Sequence, residues 1–143
     1  MTKYLIDTNV ISELIRPVPE RLVELWFQKA DPASLFGSVV TWGEIRLGVE
    51  NMPASRRRTE IEMWLATGLP EWFGANLLPV TKEIADQWGR ITARARQSGI
   101  TIATADGLIA ATALEHGLTL VTRNVKDFVR LGVTFFDPWT NAG

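Results

Sequence analysis

Cysteine is absent from the 143 residues, and histidine occurs once, at position 116. The absence of cysteine excludes a thiol nucleophile, a disulfide framework and thiolate metal sites. A single histidine disfavours both a Ser-His-Asp triad and a His-rich zinc site. His116 precedes Gly117 at a predicted helix end, where an imidazolium complements the helix dipole. Because disulfide-free chains are typical of reducing compartments, we expect a cytoplasmic protein.

Long apolar runs are also absent. No stretch approaches the roughly 20 apolar residues of a membrane span, and Asp7 comes too early for the apolar region of a signal peptide. We therefore expect no membrane association. The 46% of hydrophobic and 22% of charged residues are ordinary for a globular protein. A length of 143 residues suits one domain over 1–143.

An excess of positive charge is missing as well. The formal net charge is −1, so bulk charge does not predict a nucleic-acid partner. Any attraction for phosphate must come from local basic patches or from a bound metal. For the clusters of arginines a solvated surface is the simpler interpretation, and contact with RNA phosphates is the functional one. These clusters are Arg56-Arg57-Arg58 and the group of Arg90, Arg94 and Arg96.

Short apolar segments alternate with segments of helical periodicity along the chain. This alternation is typical of β-α-β units, in which parallel strands form a sheet covered by helices on both faces. The sequence therefore predicts an α/β fold with a central, mainly parallel sheet of about five strands flanked by helices. The predicted strands span 4–6, 35–40, 75–80, 118–121 and 133–136. The predicted helices span 8–15, 19–30, 41–51, 55–69, 81–97, 104–116 and 126–131.

Three acids lie shortly after predicted strands. Asp7 directly follows the first strand, Glu44 lies four residues after the second, and Asp127 lies six residues after the fourth. Ligands of parallel α/β sheets bind beyond the carboxyl ends of the strands, so these acids are candidates for one site. Asp106 begins the predicted helix before the fourth strand, and it joins them only if the preceding loop returns the chain to that edge.

Each acid also has a local structural explanation. Asp7 could cap the first helix, and the spacing of Thr41 and Glu44 matches a capping box. Asp106 could stabilise the positive end of its helix, and Asn124 could cap the short helix that follows it. Capping alone does not explain why acids recur at one sheet edge, since gathered carboxylates repel and raise one another's pKa values.

A divalent cation would offset this repulsion. Mg²⁺ and Mn²⁺ prefer oxygen ligands and bridge to phosphate oxygens, and a chain with one histidine and no cysteine is equipped for such a site. Competing phosphate-handling sites lack their motifs. Asp7-Thr8-Asn9 stands where an aspartyl-phosphate phosphatase needs Asp-x-Asp, and neither G-x-x-x-x-G-K-[ST] nor G-x-G-x-x-G occurs.

Four segments of the chain, in order, resemble motifs of PIN domains. They are Leu5-Ile6-Asp7-Thr8-Asn9-Val10, Val40-Thr41-Trp42-Gly43-Glu44-Ile45-Arg46-Leu47-Gly48, Asp106-Gly107-Leu108-Ile109-Ala110-Ala111-Thr112-Ala113 and Leu120-Val121-Thr122-Arg123-Asn124-Val125-Lys126-Asp127-Phe128. Their order and spacing resemble the VapC toxins of bacterial toxin–antitoxin pairs, in particular the FitB-like subgroup. The resemblance covers essentially the whole chain. Each motif alone is weak, but four in this order are specific.

The resemblance implies a PIN-like α/β fold and RNA cleavage that depends on Mg²⁺ or Mn²⁺. By motif match, Asp7, Glu44 and Asp106 would be the catalytic acids and the metal ligands. Asn9 would orient Asp7, and Thr122 would lie near the metal. In the expected reaction the metal orients the scissile phosphate and lowers the pKa of a bound water, while a carboxylate helps to remove the proton of that water.

The fourth acid of the site is an open position. Where many relatives carry an acid, this chain has Asn124, with Asp127 about one helical turn further on. Either residue could hold a metal-bound water. Arg46 and Arg123 closely follow the acid motifs and are the cations that we expect to meet the substrate.

Partners are implied by the resemblance as well. It implies an antitoxin that lays a helix or an extended tail along an apolar groove and blocks the acid site, and it implies a homodimer. Most of the six tryptophans are expected in the core, whereas Trp64 and Trp72 lie in a segment that could offer such a groove. Because the net charge is near zero, we expect DNA contact only through the antitoxin.

Three functions are therefore considered. The leading one is a toxin endoribonuclease held in check by an antitoxin. The second is a PIN-fold binding module that has lost catalysis, which the intact Asp7, Glu44 and Asp106 disfavour and which Asn124 leaves open. The third is a DNA-directed nuclease, or a repressor component that binds operator DNA through its antitoxin.

Overall fold

Parallel strands form the centre of the computed structural model, in which residues 1–140 are described. Across those residues five strands lie in the order β3-β2-β1-β4-β5, and each neighbouring pair is parallel. This confirms the predicted α/β fold and its strand number. The strands are β1 (Tyr4–Ile6), β2 (Leu35–Ser38), β3 (Leu77–Leu78), β4 (Thr119–Val121) and β5 (Phe135–Phe136).

Helices connect the strands and cover the sheet. One turn of π-helix, Trp64–Gly68, joins the fourth helix to the fifth. In the part of the chain that is described, the α-helices are α1 (Thr8–Leu14), α2 (Arg21–Lys29), α3 (Val39–Glu50), α4 (Arg56–Met63), α5 (Leu69–Phe73), α6 (Lys82–Gln97), α7 (Thr104–His116) and α8 (Val125–Val129). No helix among residues 1–140 combines the length and the apolar character needed to cross a membrane.

Buried side chains lie on both faces of the sheet. Successive residues of a strand point to opposite faces, so Leu5 joins one apolar cluster and Ile6 the other. In the same way, Leu120 joins the cluster of Leu5, and Val121 joins the cluster of Ile6. Helices α6, α7 and α8 cover the Leu5 face, while α1, α2, α3 and α5 cover the Ile6 face. The central strands β1 and β4 are thus buried on both faces, which explains their largely apolar composition.

The junction of β2 and α3 differs from the predicted one. Ser38 caps α3, since its Oγ accepts a hydrogen bond from the Val40 N–H at 3.0 Å. The predicted capping box of Thr41 and Glu44 is therefore wrong. Thr41 lies buried inside α3. As a consequence, the Glu44 side chain is not used to cap its own helix.

The helix predicted over 55–69 is interrupted by the π-helical turn. A side chain at Gly68 would collide with the indole of Trp64, so this turn requires glycine. Trp64 packs edge to face on Trp72 with ring centroids 5.2 Å apart, and Trp72 packs on Phe27 at 5.1 Å. All six tryptophans are half-buried against the apolar clusters, which confirms the predicted core role for most of them.

The packing of α7 on α6 fixes where Asp106 lies. Gly107 is buried, and a Cβ there would lie 2.9 Å from Cδ1 of Trp88. Only glycine therefore allows the first turn of α7 to lie this close to α6. At its other end, α7 finishes at His116, and Gly117 adopts a left-handed φ of 64°. This is the helix end that the sequence predicts.

Candidate active site

Asp7 and Thr122 meet at the carboxyl edge of the sheet because β1 and β4 are neighbours. Ile6 is paired with Val121 in the parallel register, so the next residue of each strand lies side by side. The Asp7 N–H donates to the Val121 carbonyl at 2.9 Å. The Thr122 hydroxyl donates to Asp7 Oδ2 at 2.8 Å. Both side chains are buried.

Three donors hold the Asp7 carboxylate in place. Besides Thr122, the Thr8 N–H donates to Oδ1 at 2.8 Å, and the Asn9 amide donates to Oδ2 at 3.3 Å. Asp7 therefore caps α1 and belongs to the site at the same time. Asn9 and Thr122 are thus both in contact with Asp7.

Glu44 reaches the site from the second turn of α3. Its Oε1 accepts a hydrogen bond from the Thr8 hydroxyl at 2.5 Å, and that hydroxyl also lies 3.0 Å from Thr41 Oγ1. Thr8 thus links the β1 edge to α3, and sequence reasoning did not include it among the site residues. The signal was present, since a hydroxyl directly follows the strand-end acid Asp7.

Asp106 joins the other acids because the loop over 98–103 returns the chain to this edge. Its pKa is raised by burial first, then by the charges of Glu44 and Asp127. The same charge of Asp106 contributes to the raised pKa of Asp7. These mutual effects indicate that the acids share one electrostatic neighbourhood.

Burial dominates the acidity of Asp7. Asp7 is only 4% exposed, and this burial raises its pKa from 3.8 to about 6. The hydrogen bonds from Thr122 and Thr8 oppose this shift, whereas the charges of Asp106 and Glu44 add to it. Negative charge at this edge is therefore incompletely compensated by the protein itself.

A hydrogen-bonded pair, Asn124 and Asp127, lies at the position of the fourth acid. The Asn124 amide donates to Asp127 Oδ2 at 2.8 Å, and the Asn124 N–H donates to Thr122 Oγ1 at 2.9 Å. Asn124 precedes α8, but its side chain makes no capping bond. The expected cap is thus wrong, and Asn124 instead holds the exposed Asp127, whose charge acts on Asp106.

The two arginines expected at the substrate are placed differently. Arg46 lies roughly 200° around α3 from Glu44, and its guanidinium is 3.6 Å from Glu50 and 4.0 Å from Glu62. These ion pairs do not favour contact with a substrate beside Glu44. Arg123 donates its backbone N–H to Asn9 Oδ1 at 3.3 Å, and its guanidinium lies 5.0 Å from the ring centroid of Trp139. Only Arg123 therefore lies next to the site.

Two arginines of the triplet have a structural role. Arg57 donates to the carbonyl of Ile15, and Arg58 donates to the carbonyl of Met52 at 2.8 Å. Arg58 also pairs with Glu50 at 3.3 Å. These contacts tie α4 to α1 and to the loop that precedes it. Arg56 is exposed, so the triplet as a whole does not form an open basic patch.

An apolar groove of about 330 Å³ lies beside Glu44, between α1, α3 and α4. Trp64 and Trp72, which the sequence suggested for a partner groove, do not line it. The apolar residues that line it are Ile15, Ile45, Val49, Met52 and Ile61, and Arg16 and Arg57 contribute charged groups.

The donor set at the sheet edge fits a hard divalent cation. Its ligand atoms are all oxygen, which Mg²⁺ and Mn²⁺ prefer, and the raised pKa values of Asp7 and Asp106 identify charge that a cation would compensate. Within residues 1–140, no three acidic or histidine side chains are gathered closely enough to enclose one ion. The carboxylates would therefore have to draw closer to share one.

The protein is therefore an α/β protein whose parallel five-stranded sheet carries a cluster of acids at its carboxyl edge. The possible metal ligands in this cluster are all oxygen atoms. The sequence profile of the family described as PIN domain matches residues 4–133. The chain belongs to the PIN-domain family, which confirms the resemblance noted from its motifs.

Characterised relatives are similar over nearly the full length. The chain is 36% identical to "VapC ribonuclease Y4jK" of Sinorhizobium fredii over 96% of this chain and 98% of the relative. It is also 36% identical to "Toxin FitB" of Neisseria gonorrhoeae, over 94% and 97% respectively. A chain in the solved structure of FitAB bound to an IR36 DNA fragment superposes with a TM-score of 0.88 at 33% identity, covering 96% of each chain. The predicted fold and family are thereby confirmed.

Proposed function

We propose that this protein is a metal-dependent endoribonuclease and the toxin of a type II toxin–antitoxin pair. The observation that carries the proposal is the meeting of Asp7, Glu44 and Asp106 at one edge of the sheet, with burial and mutual repulsion raising the pKa of Asp7. The similarity to a VapC ribonuclease and to Toxin FitB supports the reaction class and the biological role.

Asp7, Glu44 and Asp106 are the residues that would hold Mg²⁺ or Mn²⁺. When bound, such a cation would stabilise charge on the scissile phosphate and lower the pKa of a water molecule. Thr8, Asn9 and Thr122 have the separate task of fixing the acids. They hold both oxygens of Asp7 and one oxygen of Glu44, which fixes the orientation of these two carboxylates.

A proton acceptor is available in the same cluster. In the metal-free protein, burial and the charges of Glu44 and Asp127 raise the pKa of Asp106, so its carboxylate holds a proton more tightly than an ordinary surface aspartate. We assign it the removal of the proton from the attacking water. Asp127, held by Asn124, completes the acidic edge on the side of Asp106. In this proposal the fourth acid is thus supplied by Asp127 and positioned by Asn124.

Replacing Thr122 with Val is expected to shift the pH profile of cleavage. The Thr122 hydroxyl stabilises the charged form of Asp7, so its loss raises the pKa of Asp7 further. The low-pH limb of the cleavage rate should therefore move to higher pH, and the plateau rate should fall by roughly 10- to 100-fold, as for other residues that orient metal ligands.

The measurement is the cleavage rate from pH 5 to 9 for the wild type, Thr122→Val and Thr122→Ser. The serine variant keeps the hydroxyl, so its cleavage rate should fall at the same low pH as that of the wild type. A valine variant whose rate falls at the wild-type pH would contradict the assigned role of Thr122.

The proposed protein partner is an antitoxin that occupies the apolar groove beside Glu44. A segment seated there contacts Ile45 and Ile61 and reaches the acids through Glu44 itself. This adjacency would let one partner bind and inhibit at once. Contact with DNA is proposed only through that partner, and the solved structure of FitAB bound to a DNA fragment supports DNA binding by the complex. By resemblance to the family, we also propose a cytoplasmic homodimer that acts on structured RNA.

Replacing Ile61 with Lys is expected to weaken the antitoxin complex at least tenfold, because it places a charge in an apolar contact. The measurement is the dissociation constant for the protein encoded beside this gene. Leu47→Lys is the matched control, since Leu47 is 63% exposed on α3 and outside the groove. Both variants should cleave RNA at the wild-type rate, and equal affinities for the antitoxin would contradict the groove assignment.

The experiment that tests the reaction class compares structured RNAs with DNA hairpins of the same sequence in Mg²⁺. Cleavage of RNA alone is the expected result. Cleavage of DNA with equal or greater efficiency would favour a DNA-directed nuclease. No cleavage of either would favour a binding module of the same fold.

A further inference from the structure

We propose that the acid cluster opens into a track for single-stranded RNA that runs past Lys126, Arg130 and Arg94. This inference rests on the proposed ribonuclease function and names the path of its substrate. The track follows the surface formed by α6, the loop over 98–103 and α8. Lys126 lies in the last of the four motifs, whereas Arg130 and Arg94 lie outside all of them.

The first part of the track is a cavity of about 290 Å³ that contains both acids and cations. Asp106 and Asp127 line it, and so do Lys126 and Arg130, together with the loop residues 100–103. A phosphodiester bound at the acids would therefore have a cation on the adjacent phosphate within the same cavity.

A second cavity of about 280 Å³ continues from the first, because Ile100 and Arg130 line both. Arg94 and Ser98 contribute polar groups to this second cavity. Its remaining lining is largely apolar, from Ile91, Ala95, Leu131 and the backbone at Gly132. The two cavities form one groove with acids at one end and Arg94 at the other.

The three cations of the track are free to bind an anion. No ion pair within 4.0 Å involves Lys126, Arg130 or Arg94 among residues 1–140, whereas carboxylates engage five other arginines of the same part of the chain. Those five are Arg16, Arg46, Arg57, Arg58 and Arg90. In a protein of net charge −1, unpaired cations that gather beside an acid cluster are a local attraction for phosphate.

Apolar surface between cations suits a single strand of nucleic acid. Proteins that bind single strands combine cations for the phosphates with aromatic side chains on which the bases stack. In this groove the aliphatic side chains of the second cavity would contact the faces of the bases. Each cavity is near the lower end of ligand-pocket volumes, roughly 300 Å³, so it suits one nucleotide rather than a duplex. The occupant is therefore an unpaired RNA segment that enters or leaves the site of cleavage.

The test measures binding of a fluorescein-labelled, 12-nucleotide single-stranded RNA by anisotropy between 50 and 200 mM KCl. All proteins carry Asp7→Asn, so that the probe stays intact. The track variant adds Arg94→Gln, Lys126→Gln and Arg130→Gln. The control variant adds Arg56→Gln, Lys82→Gln and Arg96→Gln, which remove equal charge from exposed residues that line neither cavity.

The track variant should bind at least tenfold more weakly than the control at 100 mM KCl. Its salt dependence should also fall, since each phosphate contact to a single strand contributes about 0.7 to the slope of log K against log salt. Three lost contacts lower the slope by about 2, and the control should keep the parent slope.

If the track and control variants bound RNA with equal affinity and equal salt slope, the proposed track would be wrong. The proposed ribonuclease function would not be affected. Absence of RNA binding by the Asp7→Asn parent would instead overturn the proposed function and the track with it. A second experiment measures the binding of a 12-residue poly-glutamate peptide to the same variants. A loss of peptide binding as large as the loss of RNA binding would assign the groove to an acidic protein segment and overturn its assignment to RNA.

Discussion

Asp7→Asn is expected to lower the rate of RNA cleavage in Mg²⁺ by roughly 10³-fold or more, because it removes a charge that both metal binding and phosphate positioning need. The substitution is nearly isosteric, and Asp7 lies where Thr8, Asn9 and Thr122 fix its orientation. The loss should therefore reflect the missing charge rather than a displaced side chain.

The measurement is the single-turnover cleavage rate of one structured RNA by the wild type, Asp7→Asn and a matched control. Asp86→Asn serves as that control, because it also removes one aspartate charge, from an exposed ion pair with Arg90 on α6. The control should cleave at nearly the wild-type rate. A similar rate for all three proteins would remove Asp7 from the reaction.

The same substitution is expected to stabilise the metal-free protein at pH 7.5. Burial raises the pKa of Asp7 from 3.8 to about 6 in the folded state, so the folded protein binds this proton more tightly than the unfolded chain. The free energy of unfolding therefore falls as pH rises from about 4 to about 6, and stays lower above that. A shift of about two pKa units corresponds to roughly 3 kcal/mol.

The gain on substitution should be smaller, about 1–2 kcal/mol at pH 7.5, because Asn cannot accept all three hydrogen bonds that the carboxylate accepts. The measurement is urea unfolding in EDTA at pH 4 and pH 7.5. The advantage of Asp7→Asn should disappear at pH 4, where Asp7 is protonated in the fold. Mg²⁺ should raise the stability of the wild type but not of the variant. A variant that is less stable at both pH values would contradict the assigned charge cost.

The β1 edge of the site could be predicted from the sequence. Asp7 directly follows an apolar run, and Thr122 follows another, so a parallel sheet is sufficient to bring them to one edge. The pairing of β1 with β4, which makes them direct neighbours, is a property of strand order. Residue patterns indicate the presence of strands more reliably than their order.

Asp106 was placed by resemblance and not by pattern. A helix that precedes its strand begins at the carboxyl edge only if the loop before it crosses the molecule, and the loop over 98–103 has no residue pattern that shows this. The packing of Gly107 against Trp88 supplies the constraint. It is a contact between distant parts of the chain that no local pattern records.

The errors at α3 have a local cause. Ser38 and Thr41 are both good capping residues three positions apart, and the apolar Val39 and Val40 between them suit a strand or a helix equally. The bond from the Val40 N–H to Ser38 decides between the two. It also leaves the Glu44 side chain available to bind Thr8 and to join the site. A shift of three residues in the capping position therefore changed the expected role of an acid.

The most direct test of the central claim is cleavage of one structured RNA by the wild-type protein with Mg²⁺, with excess EDTA, and with EDTA followed by excess Mg²⁺. If Asp7, Glu44 and Asp106 act through a divalent cation, cleavage occurs with Mg²⁺, stops with EDTA and returns when Mg²⁺ is restored. Cleavage that continues at the same rate in EDTA would contradict a metal-dependent site at this edge of the sheet.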